Sequence, residues 1–410
     1  MTHVSNTVKH GGMPGILFSN KPLIFMKWQT SKIQISRSSY QNNIYFLRKL
    51  LGPNNKMSSV VKGNAYGHGI KTFVPLALEC GIDHFSVFSV SEAYEVFQQT
   101  EEYKPTIMIM GMIEEEAMEW VIVNEIEFYV FDLDRLNSAI QTALALKKKA
   151  LVHLEVETGM NRTGLNEPEY LNALEIIERN GQAIDLKGVC THFAGAESIA
   201  NYLRIEHQKS KFLKMRELAL NRKFKVDYFH SCCSAGAVRY PEMLHGFARI
   251  GIMQYGFWPS FETFIEYSSD EIDKTDPLSR IISWKSKIMD IKHVKRGQYI
   301  GYGSIYQAGS EMKIAIIPVG YGNGYSRSLS NIGRVLIGGV RTVITGKVNM
   351  NLISVDISHI PNVRKGDEVV LIGKQGEMEI SVADFGDASK QINYELLTRL
   401  PQNLPREIVD

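Results

Sequence analysis

The sequence predicts a (β/α)8 TIM barrel followed by a C-terminal all-β domain. Between residues 58 and 252, eight short apolar segments alternate with longer segments of helical spacing. This alternation favours a parallel sheet, and eight such units close into a barrel. Beyond about residue 275, the apolar segments are short, β-branched and separated by turns that contain Gly, Asn or Lys. That pattern is typical of consecutive strands.

The predicted barrel strands are 58–62, 84–89, 106–111, 127–131, 150–156, 184–192, 226–230 and 247–252. Helical spacing is clearest at 40–51, 132–149 and 198–221. The active sites of such barrels lie at the C-terminal ends of their strands. We therefore expect one rim to collect the side chains that end these strands or follow them: Lys62, Arg162, His192, Ser234 and Arg249.

The rest of the chain completes a three-part organisation. The predicted strands of the C-terminal domain are 280–294, 313–319, 334–337, 342–345, 352–357 and 368–372. Residues 1–27 lack the continuous apolar stretch and small-residue cleavage site of a signal peptide, so we interpret them as an N-terminal extension. The predicted domains are then 28–275 for the barrel and 276–410 for the β-domain.

Composition excludes several classes of protein. A hydrophobic content of 44% with 22% charged residues is typical of a soluble globular protein, and no apolar run approaches membrane-spanning length. A net charge of +2, with basic residues spread along the chain, argues against a nucleic-acid partner. Cys80, Cys190, Cys232 and Cys233 are too unevenly spaced for a disulfide framework or a zinc site. They predict reduced thiols in a cytoplasmic protein without a metal.

Lys62 stands where an apolar segment meets a glycine-rich turn, in Ser59-Val-Val-Lys-Gly-Asn-Ala-Tyr-Gly-His-Gly69. The glycines permit positive φ angles and close backbone approach, so the turn can fold around a ligand. A lysine in such a partly dry place is neutral more often, and a neutral amine can attack an aldehyde to form an imine. The alternative is a strand-ending lysine whose ammonium lies in water.

This segment resembles the pyridoxal-phosphate lysine signature of alanine racemases, which carry Ala where this chain has Gly63. Further matches extend the resemblance from about residue 28 to about residue 406. It implies a fold-type III pyridoxal-phosphate enzyme, a cytoplasmic homodimer with shared active sites, and interconversion of L- and D-alanine. It also implies two catalytic bases: Lys62 on the D side of Cα and, from the partner subunit, Tyr302 on the L side.

The resemblance further assigns the cofactor contacts. Arg249 matches the arginine that faces the pyridine nitrogen. A guanidinium donates a hydrogen bond without releasing its proton, so the ring stays neutral and is a weaker electron sink. His192 matches a histidine beside the cofactor ring, although a single strand-end histidine is more often structural. The residues that match phosphate contacts are Tyr66, Ser234, Gly251, Ile252 and Tyr394.

The resemblance also implies three substrate contacts. Arg162 matches the arginine that interacts with the catalytic tyrosine and the substrate carboxylate, and a cation there lowers the pKa of the phenol. Tyr321 and Met350 match residues at the substrate entrance, where the backbone N–H of Met350 binds the carboxylate.

The chain departs from the family around the substrate. Glu155 stands where alanine racemases often have a carbamylated lysine, and we hypothesise that its carboxylate replaces the carbamate as the anion that orients Arg162. Cys233 replaces an asparagine beside the phosphate-binding serine. The family's Arg-hydrophobic-Cys-Met-Asp run is Lys347-Val-Asn-Met-Asn351 here. Alanine is the first expected substrate, with another small amino acid or a broad range as the alternative.

Two other activities remain open from the sequence. A barrel-type pyridoxal-phosphate decarboxylase shares the lysine pattern, but its cysteine-containing signature in the β-domain has no counterpart here, since all four cysteines lie in the predicted barrel. A catalytically silent cofactor-binding protein would fit the changes at Glu155, Asn349 and Asn351. The presence of both expected bases, Lys62 and Tyr302, argues against it.

Overall fold

The computed structural model describes residues 30–100, 102–269, 271–389 and 393–410. The predicted N-terminal extension, 1–27, lies outside the described residues. Within the described ranges, no helix is long and apolar enough to cross a membrane.

The described chain starts with strand β1 (Lys32–Ser36) and helix α1 (Arg37–Leu51). The Ser36 hydroxyl accepts a hydrogen bond from the Ser39 N–H and so caps α1. The chain then enters a parallel eight-stranded sheet, which confirms the predicted barrel. Its strands are β2 (Lys56–Val60), β3 (His84–Val87), β4 (Thr106–Ile109), β5 (Glu127–Val130), β6 (Ala150–Glu155), β7 (Ile184–Cys190), β8 (Tyr228–His230) and β9 (Phe247–Ile250).

The barrel closes at two seams. β2 pairs with β9 in parallel, so the last strand returns to the first. Between β8 and β9 the Arg249 N–H donates to the Cys232 carbonyl at 3.0 Å. The helices between and after the strands are α2 (Ile70–Glu79), α3 (Val90–Gln99), α4 (Glu115–Val123), α5 (Leu133–Leu146), α6 (Glu167–Arg179), α7 (Tyr202–Asn221), α8 (Ser234–Arg239) and α9 (Phe261–Ser269).

The C-terminal domain consists mainly of antiparallel strands in two sheets. They are β10 (Ile282–Lys287), β11 (Asp290–Val294), β12 (Met312–Ile317), β13 (Arg334–Ile337), β14 (Val340–Val343), β15 (Ile353–Asp356), β16 (Glu368–Gln375), β17 (Met378–Ile380) and β18 (Arg406–Val409). The predicted segment 280–294 is two strands, β10 and β11, which lie in different sheets. The domain also contains two short helices that the sequence pattern did not predict, α10 (Val382–Ser389) and α11 (Asn393–Thr398).

The first strand of the described chain belongs to the sheet of the C-terminal domain. β1 lies inside the predicted barrel range 28–275, but it pairs antiparallel with β10 and parallel with β18. Its alternate residues Ile33 and Ile35 are fully buried, and the Trp284 indole donates to the Ser31 hydroxyl at 2.8 Å. The two ends of the described chain are therefore joined in one sheet.

Candidate active site

The segment after Lys62 forms a left-handed turn. Gly63, Asn64, Ala65, Tyr66 and Gly67 have φ angles of 63°, 54°, 53°, 50° and 79°. Non-glycine residues rarely adopt this conformation, and three of them in succession are costly. Such backbone persists only where the surrounding structure holds it, so its contacts show what the site requires.

Side chains of the barrel hold the left-handed turn. The Gly63 N–H donates to Glu92 Oε1 at 2.6 Å, and the Ile70 N–H donates to Asn64 Oδ1 at 2.9 Å. His68 is fully buried, with Nδ1 2.9 Å from the carbonyl oxygen of Ala65. A carbonyl only accepts, so Nδ1 carries the proton. Burial lowers the pKa of His68 to about 4, which keeps this histidine neutral at physiological pH.

The turn packs against the C-terminal domain. A Cβ on Gly67 would overlap the carbonyl oxygen of Leu397 in α11, so glycine is required there by contact as well as by φ. The Arg406 guanidinium donates to the Gly67 carbonyl from Nε at 3.1 Å and from a terminal nitrogen at 2.8 Å. The lysine turn is therefore fixed by both domains of one chain.

Lys62 is the first residue of this turn and remains accessible to solvent in the single chain. Even so, burial of its amine by neighbouring groups lowers its pKa, and the charges of Arg162 and Arg249 lower it further. Cys233 and Glu92 act in the opposite direction. The net effect is a larger neutral fraction, which is the form that acts as a nucleophile or base.

Arg249 is buried, and its two terminal nitrogens form four hydrogen bonds. One terminal nitrogen lies 2.5 Å from His230 Nδ1 and donates to the His230 carbonyl at 3.0 Å. The other donates to the carbonyls of Thr191 at 2.8 Å and Ser231 at 3.3 Å. Among the described residues, only the Nε–H of its five N–H groups is left without a hydrogen bond. This donor can serve an acceptor in the site.

His192 lies two residues beyond the end of β7 and is electrostatically linked to the other predicted residues. Its pKa falls to about 3, first because of burial and then because of the charges of Arg249, Arg162 and Lys62. These charges act on one imidazole because the barrel brings the side chains to one rim. His192 is therefore neutral at physiological pH.

The predicted phosphate contacts converge at the ends of β8 and β9. The Gly251 N–H donates to the Ser234 hydroxyl at 3.0 Å, and a Cβ on Gly251 would lie 2.6 Å from the Tyr66 hydroxyl. The Tyr66 ring lies 5.9 Å from the ring of Tyr394 in α11. Ile252, which follows, is buried. A small oxyanion placed here would meet the hydroxyls of Ser234, Tyr66 and Tyr394, each of which can donate a hydrogen bond.

Glu155 is buried at the end of β6 and faces positive charge. Burial raises the pKa of this carboxyl, whereas a hydrogen bond with the Thr163 side chain and the charges of Arg162 and Arg249 act to lower it. Among the described residues, no ion pair joins Glu155 directly to Arg162. Their interaction is therefore electrostatic across a gap.

The predicted substrate-side residues of the C-terminal domain are exposed in the single chain. Tyr302, Tyr321 and Met350 are 72%, 43% and 57% exposed. Tyr302 stands between two glycines of positive φ, and a Cβ on Gly303 would lie 2.6 Å from the Lys347 amine. Within the described chain, no hydrogen bond or ring contact links Tyr302 with Lys62.

Sequence reasoning missed several residues that shape the site. Glu92 and Arg406 hold the lysine turn from distant parts of the chain, and nothing in the sequence pattern pairs them with it. His68 lies inside the recognised motif, yet its role depends on the backbone fold. The polar residues Glu127 and His153 carry a usable signal, because such side chains are unusual in barrel strands that are buried on both faces.

Comparisons with known proteins agree over nearly the whole chain. Family models for the N-terminal and C-terminal domains of alanine racemase match residues 35–259 and 281–408. An alanine racemase of Leptospira interrogans serogroup Icterohaemorrhagiae serovar copenhageni is 35% identical over 382 residues, which cover 93% of this chain and 96% of the relative. An alanine racemase of Syntrophobacter fumaroxidans is 34% identical, with 91% and 96% covered.

The solved structures give the same result. An alanine racemase of Clostridium difficile 630 matches with a TM-score of 0.84 at 29% identity, covering 93% of this chain and 96% of that chain. The alanine racemase of Bacillus anthracis with bound L-Ala-P matches with a TM-score of 0.83 at 27% identity, covering 93% of this chain and 96% of that chain.

Proposed function

The chain belongs to the alanine racemase family, and on that premise we propose that it interconverts L- and D-alanine with pyridoxal phosphate as cofactor. The observation that carries this proposal is the meeting of Lys62 and Arg249 at one rim of the barrel. Lys62 has a lowered pKa, and Arg249 keeps one unused donor. An amine ready to react and a donor that does not release its proton are the two groups that this chemistry requires.

The rim residues fit pyridoxal phosphate. Lys62 can attach to the aldehyde, and the Nε–H of Arg249 can serve the pyridine nitrogen. The hydroxyls of Tyr66 and Ser234, which both lie against Gly251, are suitable donors for a phosphate oxygen. When bound, the cofactor withdraws electrons from the Cα of an attached amino acid and makes its proton acidic. The residues that would hold the phosphate are Tyr66, Ser234, Gly251, Ile252 and Tyr394.

Two bases serve the two faces of Cα in this proposal. Lys62, whose lowered pKa raises its neutral fraction, takes or returns the proton on the D side. Tyr302 of the partner subunit does so on the L side. Arg162 holds the substrate carboxylate and favours the ionised phenol, while His192 stays neutral and packs beside the ring.

The second half of the site comes from a partner subunit. Tyr302, Tyr321 and Met350 are exposed in the single chain, and exposed aromatic and apolar side chains at a functional surface favour a protein partner. A two-fold homodimer would give each site one barrel and one C-terminal domain from the other chain. Tyr321 and the Met350 N–H would then border the substrate.

Glu155 supplies the anion behind Arg162 in this proposal. It lies buried within the field of the Arg162 charge, as the hypothesis requires, although it does not contact the guanidinium directly. A Glu155→Gln variant with unchanged kcat and KM would contradict this role.

We also assign the protein to the cytoplasm. All four cysteines, which lie in the described residues, are free thiols. Unpaired cysteines of this number are typical of a reducing compartment.

Proton exchange at Cα in deuterated water tests the function. The protein loaded with pyridoxal phosphate is incubated with a panel of L- and D-amino acids, and samples go to NMR and chiral chromatography. We expect exchange with interconversion for alanine, with deuterium entering the product enantiomer before the unreacted one, because the second base carries solvent protons. Release of carbon dioxide would instead identify a decarboxylase, and no exchange with any amino acid would identify a silent binding protein.

A further inference from the structure

A chain of polar side chains crosses the interior of the barrel. It consists of Arg249, His230, His153 and Glu127, which we call the buried chain. His230 Nδ1 lies 2.5 Å from a terminal nitrogen of Arg249, and His230 Nε2 lies 2.9 Å from His153 Nδ1. His153 Nε2 lies 2.9 Å from Glu127 Oε2. All four side chains are buried.

The buried chain joins the two ends of the barrel. His230 is the last residue of β8, at the active end, whereas Glu127 is the first residue of β5, at the opposite end. Gly188 makes room for it, since a Cβ there would overlap the His153 ring. The interiors of such barrels are normally filled by branched apolar residues. A buried polar chain is costly unless every member is satisfied, so its presence calls for a role.

A branch extends the chain beyond Glu127. His84 Nε2 lies 3.4 Å from the same Glu127 oxygen, and His84 Nδ1 lies 2.9 Å from the Ser58 hydroxyl. The Ser58 hydroxyl in turn contacts the Ser86 hydroxyl. This branch does not stand between Glu127 and Arg249.

Hydrogen-bond chemistry allows the buried chain one direction. Arg249 can only donate, so His230 Nδ1 accepts and the His230 proton sits on Nε2. That proton is donated to His153 Nδ1, which places the His153 proton on Nε2. The Nε2–H of His153 is then donated to the Glu127 carboxylate. A proton on His230 Nδ1 would face a donor of Arg249, so the chain works only with neutral histidines in the Nε2–H form.

The electrostatics agree with this assignment. Burial lowers the pKa of His230 well below its usual range, and the Arg249 charge lowers it further, so the ring is neutral. Burial alone would raise the pKa of Glu127, but the hydrogen bonds from His153 and His84 outweigh it and leave that pKa well below its usual range. The chain therefore ends in a cation on one side and an anion on the other.

We propose that Glu127 is a positioning residue for the racemisation proposed above. Through His153 and His230, its carboxylate fixes the tautomer that accepts from Arg249, and the guanidinium stays locked with its Nε–H left for the pyridine nitrogen. This inference rests on the proposed function for its consequence in catalysis, but the tautomers themselves are independent of any activity.

The first test is 15N NMR of histidine-labelled wild-type protein, recorded without pyridoxal phosphate and after loading with it. Both spectra should show His153 and His230 as neutral Nε2–H tautomers at neutral pH. An Nδ1–H tautomer or a cationic ring at either position would overturn the proposal. This measurement needs no variant and no turnover.

The second test is Glu127→Gln, which keeps the shape and removes the charge. We expect kcat to fall by about tenfold or more with KM little changed, since groups that orient a functional side chain through hydrogen bonds have effects of that order. The visible absorption of lysine-bound pyridoxal phosphate should titrate at a shifted pH, and the 15N signals of His153 and His230 should move. Glu125→Gln is the matched control, because it makes the same substitution at a carboxylate that is 76% exposed, and it should leave kcat and these signals unchanged.

The outcomes separate the two proposals. The role of Glu127 would be overturned if Glu127→Gln kept the kcat, the absorption titration and the histidine tautomers of the wild type. Predicted tautomers in a wild-type protein that does not racemise alanine would overturn the proposed function and leave the hydrogen-bond direction standing.

Discussion

The two halves of the candidate site differ in how far one chain builds them. In the barrel half, Arg249 is buried and donates four hydrogen bonds, and the left-handed turn behind Lys62 is held by Glu92 and by the C-terminal domain. In the substrate half, Tyr302 and Met350 are exposed. The barrel half is held by contacts within one chain, whereas the other half consists of exposed side chains, which is what the proposed sharing of sites between two subunits requires.

This difference shows which functions need preorganisation within a chain. A group that must keep a fixed protonation state is best placed in a dry, fully hydrogen-bonded interior, because its pKa then depends on fixed neighbours. A group that must approach the opposite face of a substrate can come from another subunit. In the homodimer proposed above, assembly would then complete the site.

The largest expected effect is on the substrate half. Replacing Tyr302 with Phe removes the proposed L-side base, so racemisation should fall by about 100- to 10,000-fold. The visible absorption of bound pyridoxal phosphate should stay as in wild type, since the barrel half is untouched. Chiral chromatography and absorption spectroscopy measure the two effects. A variant with normal turnover would refute the assignment of Tyr302.

Mixed dimers test whether the two halves of one site come from different chains. Lys62→Ala and Tyr302→Phe should each be nearly inactive, yet a refolded mixture should recover about a quarter of wild-type activity, because half of the dimers carry one intact site of two. The measurement is racemase activity against mixing ratio. Recovery that never exceeds the sum of the separate variants would show that Tyr302 acts within its own chain.

A third prediction concerns the contact between the lysine turn and the C-terminal domain. Gly67→Ala combines a positive φ with overlap on the Leu397 carbonyl, so it should lower the free energy of unfolding by about 3 kcal/mol or more. The control is Gly366→Ala, with a φ of 88° and open space around it, which should cost about 1 kcal/mol. Urea unfolding compares the two. Equal costs would mean that the contact with α11 is unimportant.

The last expected effect is a dependence of stability on pH that arises in the barrel half. His68 and His192 have folded pKa values of about 4 and about 3, below the ordinary value of about 6.5 in an unfolded chain. Between these values the unfolded chain binds more protons. The stability that these histidines provide is therefore complete above about pH 6.5 and is lost as the pH falls toward 4 and 3.

Each such histidine contributes a slope of about 1.4 kcal/mol per pH unit in that window. His68→Asn keeps a donor for the Ala65 carbonyl and cannot titrate. The slope of its unfolding free energy against pH should therefore be smaller than that of the wild type by the contribution of one histidine. Urea unfolding at several pH values measures the slope. An unchanged slope would show that His68 is not held neutral in the folded protein.

Sequence reasoning succeeded where local pattern and position in the barrel determine the outcome. The alternation of strands and helices predicted the barrel, and the strand-end rule placed Lys62, His192 and Arg249 at one rim, where the electrostatic coupling of His192 now links them. The same reasoning missed β1, because an isolated alternating segment does not reveal which sheet it joins. It also missed α10 and α11, which are short and carry little periodic signal.

Local patterns in the sequence were enough to predict the alternating units, the reactive lysine with its glycines, and the family that the chain resembles. The folded chain was needed to show which distant groups meet: Arg406 with Gly67, Glu92 with Gly63, and Glu127 with His153. The physical reason is that propensity and periodicity act over a few neighbouring residues. Burial, tautomers and pKa values depend on contacts between groups far apart in the chain.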